Sequence, residues 1–155
     1  MTNLSCKVLS ALAGKTLVSA ESCTGGGIGH WLTCISGSSS VYNGGIISYT
    51  NWVKHNILGV DDPLIETLGP VSGPVAKAMA EGARRVLEAD VAVSVTGLAG
   101  PGADEYGYPV GTVFIGYADE KTAFFCHCNF SGDREAVRDQ TIQAALELVL
   151  EQAQM

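Results

Sequence analysis

Apolar residues recur along this chain with two alternating periods, and that alternation predicts its architecture. Leu4, Val8 and Leu12 follow helical spacing, so the first dozen residues form an amphipathic helix ended by Gly14. Lys15 to Ala20 is a short buried strand. Thr24 precedes a Gly-rich stretch and then Ile28, Trp31, Leu32 and Ile35, a helix start followed by its apolar face, stopped at Gly37. After a serine loop at 38–40, residues 45–49 are strand-like, and Asn51 caps a short helix carrying Lys54. Another short helix begins around Asp61-Asp62-Pro63, and Ser72-Gly73-Pro74 opens one bearing Val75, Met79, Ala83 and Val86. Asp90 to Thr96 is an apolar strand. Residues 97–111 form a Gly- and Pro-rich loop longer than most connections in compact domains. Residues 112–118 and 122–129 pair as a hairpin, and Asp133 opens a long final helix.

Strands alternating with helices predict parallel strands covered on both faces, and the late hairpin adds antiparallel neighbours. The expected fold is therefore α/β, a three-layer α/β/α sandwich with a mixed, mainly parallel sheet. No repeat, linker or composition shift divides residues 1–155, so one domain is expected. Right-handed crossovers gather the carboxyl ends of the parallel strands on one edge, where open α/β sheets bind ligands. That edge collects Glu21-Ser22, Tyr49-Thr50 and Thr96-Gly97.

Composition narrows the function. The chain has 155 residues, 46% of them hydrophobic and 16% charged, which suits a domain with a sizeable core. Nine Lys and Arg against sixteen Asp and Glu give a net charge of -7 without a basic stripe, which argues against nucleic acid as a partner. A small anion remains compatible, because backbone N–H groups and one or two cations can hold it. Five cysteines without disulfide-like spacing fit a reducing compartment. No signal-like start and no apolar run of membrane-spanning length is present, so the expectation is a cytoplasmic protein without a membrane partner.

Four constellations can carry chemistry. Glu21-Ser22-Cys23-Thr24-Gly25-Gly26 turns from strand end to helix start, a plausible phosphate cradle or simply a tightly packed helix entry. It has neither the Walker lysine nor the full dinucleotide spacing. Lys54 is one of two cations between Lys15 and Arg84. A Lys amine desolvated to a pKa of about 7–8 can take a serine's proton. Strand order favours Ser22 as its partner, since Ser39 precedes its strand and falls on the far edge unless the loop or another subunit brings it round. Three glycines within Gly97-Leu98-Ala99-Gly100-Pro101-Gly102 suit a backbone wrapped round a ligand, or a turn-rich connection. Arg134, in the first turn of the last helix, is poorly placed for the helix dipole and invites an anionic partner, with a surface ion pair as the competing explanation. Cys126-His127-Cys128 alternates across a strand and reads as structural, and Cys23 is a minor candidate for a low-pKa thiol nucleophile.

The segments Ala20-Glu21-Ser22-Cys23-Thr24-Gly25-Gly26, Gly37-Ser38-Ser39, Tyr49-Thr50-Asn51 with Lys54, Thr96-Gly97-Leu98-Ala99-Gly100-Pro101, Pro109-Val110-Gly111-Thr112 and Gly132-Asp133-Arg134, in this order, resemble the CinA C-terminal domain family. Known members deamidate nicotinamide mononucleotide to nicotinate mononucleotide and ammonia. The resemblance implies a Ser/Lys hydrolase in stand-alone form that uses no metal or cofactor, acts on a small mononucleotide and self-associates as a homo-oligomer. It matches Lys54 to the family's lysine and both Ser22 and Ser39 to family serines. It implies that Tyr49 and Thr96 orient groups near the amide, and that Thr24, Gly25, Gly26 and Arg134 hold the phosphate, with Glu21, Gly97 and Gly100 lining the substrate site. Two positions depart from the family pattern: Tyr108 replaces a lysine and Trp52 a glutamate, which leaves open a noncatalytic nucleotide-binding module or an amidase for another phosphorylated amide.

Overall fold

A computed structural model describes residues 1–155. In chain order the elements are α1 (Thr2–Ala11), β1 (Leu17–Glu21), α2 (Gly27–Thr33), β2 (Tyr42–Ile47), α3 (Asn51–Asn56), α4 (Asp62–Leu68), α5 (Gly73–Val86), β3 (Val91–Gly97), β4 (Thr112–Ala118), β5 (Ala123–Asn129) and α6 (Arg134–Ala153). The strands form one sheet in the order β2-β1-β3-β4-β5. β1 runs parallel to β2 and β3, while β4 is antiparallel to both β3 and β5. Only β4 is therefore reversed, which matches the mixed, mainly parallel sheet expected.

Period-two alternation along the central strands sorts residues between two helical layers. Leu17 on β1 and Val91, Val93 and Val95 on β3 face a core built with Val8 of α1, Ile28 and Leu32 of α2, and Val137 and Leu146 of α6. Val18, Ala20 and Ala92 face the opposite layer, against Leu58, Ile65 and the α5 residues Val75, Met79 and Ala83. Small residues on this second face let α5 approach the sheet closely. A Cβ at Gly116 would collide with the Ala76 carbonyl, so the approach requires glycine there.

Element boundaries moved where local chemistry won over periodicity. β2 begins at Tyr42, earlier than the apolar run indicated, and carries a register shift where Gly44 at φ +149 enters the pairing with β1. Thr50, not Asn51, caps α3, its hydroxyl accepting the Val53 N–H. Ser72 caps α5 and Asp133 caps α6 through side-chain oxygens, as their positions predict. On β5, Cys128 leans toward the α6 layer while His127 stacks on Phe114 on the other face, their centroids 4.6 Å apart. No helix is long and apolar enough to cross a membrane.

Candidate functional site

The alternation on β1 decides which residues meet. Val18 and Ala20 face the α3–α5 layer, so Ser22, two residues beyond Ala20, turns the same way. Lys54 reaches toward it from α3, on the loop-side edge where β1 and β2 end. Its Nζ donates to Ser22 Oγ at 3.1 Å and to the Ser48 carbonyl at 2.8 Å. Lys54 is 1% exposed and has no carboxylate partner, an unusual state for a lysine. Burial lowers its pKa from the ordinary range to about 8, because the charged ammonium is desolvated. The nearby Cys23 thiol opposes this only when ionised. Near neutral pH an appreciable share of this amine is free to accept a proton, which is what a serine nucleophile needs.

Glu21 faces the other layer and has a different use from the one its position beside the serine indicated. It is 2% exposed. Its carboxylate accepts the Ile28 N–H at 2.9 Å, the Gly29 N–H at 3.2 Å, and the hydroxyls of Thr24 and Ser19. The start of α2 is thus neutralised by the chain's own anion. This corrects the expectation that the turn is a phosphate cradle built on those helix N–H groups, and that Glu21 and the Thr24 hydroxyl bind substrate. Gly25 and Gly26, at φ +58 and +104, shape the turn by adopting left-handed backbone conformations.

A cavity of about 270 Å³ opens over the serine and lysine. Tyr49, Thr96, Gly97, Gly100 and Arg134, from four separate segments, line it together with Ser22 and Lys54. The Thr96 hydroxyl is committed to the Pro70 carbonyl at 2.7 Å, so it fixes the wall rather than presenting a free donor. Arg134 spans the mouth, donating to the Gly100 carbonyl at 2.7 Å and to Tyr49 Oη at 3.0 Å. Cys23 shares the wall, but burial pushes its thiol up to about 12. It remains protonated at neutral pH, which removes the low-pKa thiol alternative.

Ser39 is not brought to this cavity. It lies exposed on a 3-10 turn, Ser38–Ser40, before β2, whereas Lys54 follows β2 and α3 begins beyond its other end. Within one chain a β-strand separates the two, so Ser39 and Lys54 meet only where another subunit brings Ser39 round. Of the departures from the family pattern, Tyr108 packs edge-on against Phe114 at 5.6 Å and His127 at 6.5 Å, and it does not line the cavity. Trp52 is exposed on α3, outside the lining. Two participants carry no distinctive sequence signal. Ser48 acts through its main-chain carbonyl, which any residue supplies. Arg138 donates to the Thr24 carbonyl at 3.1 Å, and only its spacing of four residues from Arg134 on a helix marks it.

Residues 2–153 match the family model for the CinA C-terminal domain. A CinA-like protein of Salinibacter ruber is 47% identical over 132 residues, which is 85% of this chain and 32% of that protein. One from Synechococcus sp. RCC307 is 55% identical over 104 residues, 67% of this chain and 25% of that protein. The chain spans about a third of the length of the curated relatives it matches. Among solved structures, a competence-damaged (CinA) superfamily protein from Klebsiella pneumoniae superposes with a TM-score of 0.95 at 30% identity, covering 98% of this chain and 96% of its own. The competence/damage inducible protein CihA from Agrobacterium tumefaciens gives 0.94 at 35% identity, covering 99% and 95%. Sequence and fold agree along nearly the whole chain, which therefore belongs to the CinA C-terminal domain family.

Proposed function

We propose that this chain is an amidohydrolase that converts nicotinamide mononucleotide and water to nicotinate mononucleotide and ammonia. The observation that carries the reading is the buried Lys54 amine held 3.1 Å from the Ser22 hydroxyl at the floor of an open cavity. With a pKa of about 8, roughly a tenth of the amine is neutral at pH 7 and half at pH 8.

In the first half-reaction Ser22 Oγ attacks the amide carbonyl carbon as its proton moves to Lys54 Nζ. The C–N bond then breaks, and the departing nitrogen takes that proton and leaves as ammonia. In the second half, Lys54 takes a proton from water, the hydroxide adds to the acyl-serine, and the C–O bond breaks. The proton returns to Ser22, and the acid product gives up its remaining proton to solvent and leaves as a carboxylate. The N–H groups of Cys23, Ala99 and Gly100, all residues of the cavity wall, have no backbone partner and are candidate donors to a developing oxyanion. Arg134 is the one other cation in the wall, consistent with an anionic substrate.

The deciding measurement is ammonia release from nicotinamide mononucleotide by the purified chain, beside a panel of other phosphorylated amides. Ser22→Ala and Lys54→Ala should each lower kcat at least about a hundredfold while the fold is kept. Ser39→Ala should retain turnover. Full activity in the Lys54 variant rejects the dyad. Saturable binding without turnover at any pH between 6 and 9 would instead mean a nucleotide-binding module.

A further inference from the structure

Lys54 is a base in the reading above, and the same lone pair makes it a nucleophile. Most lysines hold their charge in water or against a carboxylate. Lys54 has neither. It is 1% exposed, and its Nζ meets only neutral oxygens, those of the Ser22 hydroxyl and the Ser48 carbonyl. These contacts leave one of the three donor positions of the nitrogen without a partner. Burial lowers the amine's pKa to about 8, so an appreciable share is uncharged near neutral pH.

The space around the amine selects the electrophile. Lys54 lines the cavity over Ser22, yet almost none of its surface is open to bulk water. A small uncharged electrophile enters such a space without the desolvation cost that an ion bears. The wall also suits an anionic adduct. No Asp or Glu lines it, and its titratable members are Cys23, Tyr49, Lys54 and Arg134. Glu21, the acid beside Ser22, is turned to the other face of β1, where the Ile28 and Gly29 N–H groups hold its carboxylate. Arg134 supplies a cation in the wall.

We propose that carbon dioxide reversibly carbamylates Lys54 and thereby caps the candidate base. The Nζ lone pair attacks the carbon of CO2, an N–C bond forms, and one C=O π pair moves onto oxygen. The nitrogen then releases a proton to solvent, so that amine and CO2 become a carbamate anion and a proton. Reversal restores both. The N–H that remains keeps the Ser48 carbonyl, while the Ser22 hydroxyl can donate to a carbamate oxygen, a far weaker base than the amine. Delocalised into the new carbonyl, the nitrogen lone pair no longer takes the Ser22 proton. The loss of turnover rests on the hydrolase reading. The carbamate does not, because a buried free amine adds CO2 whether or not an amide is hydrolysed.

The test has two arms. In the first, the chain is equilibrated at pH 8, near the midpoint of the amine's titration, with isotopically labelled bicarbonate, whose dehydration supplies labelled CO2. Carbamates are trapped by O-ethylation with triethyloxonium and located by peptide mass mapping. The trapped group should map to Lys54 and be missing from Lys54→Met. No label at Lys54, or label confined to the exposed lysines, would overturn the site, and that outcome needs no variant to fold. In the second arm, ammonia release from nicotinamide mononucleotide is measured across CO2 levels at fixed pH and ionic strength. It should fall in proportion to the carbamylated fraction and recover on purging with nitrogen. Turnover that is unchanged or rises as Lys54 is carbamylated would overturn the capping. A carbamate at Lys54 in a chain that releases no ammonia even without CO2 would keep the site and reject the hydrolase. Full ammonia release with no label at Lys54 would do the reverse.

Discussion

The main-chain carbonyl of Glu21 accepts the Ser48 N–H at 2.7 Å. The residue before the candidate nucleophile is thereby joined to the residue whose carbonyl holds Lys54. The side chain of Glu21 acts on one face of β1, where it secures the start of α2, while its main chain acts within the plane of the sheet and secures the end of β2.

Replacement of Glu21 by Gln tests this double duty. The new amide group would set N–H donors against donors that now point at a carboxylate, which costs about 1–3 kcal/mol at a buried site. Urea denaturation should show that loss. Turnover should fall through kcat with KM little changed, since Glu21 touches no substrate in this arrangement. A selective rise in KM would return Glu21 to the substrate site.

Activity should rise with pH along a limb centred near 8. Lys54 serves as a base only when deprotonated, and its pKa is about 8, so the free-amine fraction increases tenfold per pH unit below that value. The kcat/KM profile for ammonia release between pH 6 and 9.5 reports it directly. A flat profile across that range would mean another base.

Lys54→Met should make the protein more stable while removing activity. Folding lowers the lysine pKa from 10.5 to about 8, so below pH 8 the folded state carries a buried charge that the unfolded chain solvates freely. The penalty is complete below pH 8 and fades as pH rises toward 10.5, where both states are neutral. The variant should gain on the order of 1–3 kcal/mol at pH 7 and less at pH 10. Guanidinium titrations at the two pH values measure the difference.

Cys23→Ser should preserve turnover within a few-fold, since a thiol held near 12 supplies no thiolate at neutral pH. Iodoacetamide at pH 7.5 should likewise leave activity intact over the time in which an exposed cysteine such as Cys6 is alkylated.

The fold was legible because its two layers follow from simple periods. The α5 face reads from Val75, Met79 and Ala83, and the buried strand from Asp90 onward reads from its apolar run. The pairing of Ser22 with Lys54 was also legible, since strand order alone puts both past the carboxyl ends of neighbouring strands. What the sequence concealed were commitments between polar groups. Nothing in the local pattern tells whether a carboxylate beside a Gly-rich turn faces a ligand or the helix behind it. Glu21 is settled by its three-dimensional partners Ile28 and Gly29. Thr96 is spent in the same way on Pro70, twenty-six residues earlier. Ser48 holds Lys54 through a peptide oxygen, a group that any residue supplies, so this role leaves no trace in composition or spacing.

Because successive positions of β1 serve opposite layers, the acid that braces α2 and the hydroxyl that faces the lysine are separated by one peptide unit. A one-residue insertion or deletion between Leu17 and Ala20 would therefore do more than shift the strand. It would send the carboxylate toward Lys54 and the hydroxyl toward α2, exchanging a serine–lysine contact for a closed ion pair. The length of this short strand is thus as much a part of the site's chemistry as the identity of its side chains.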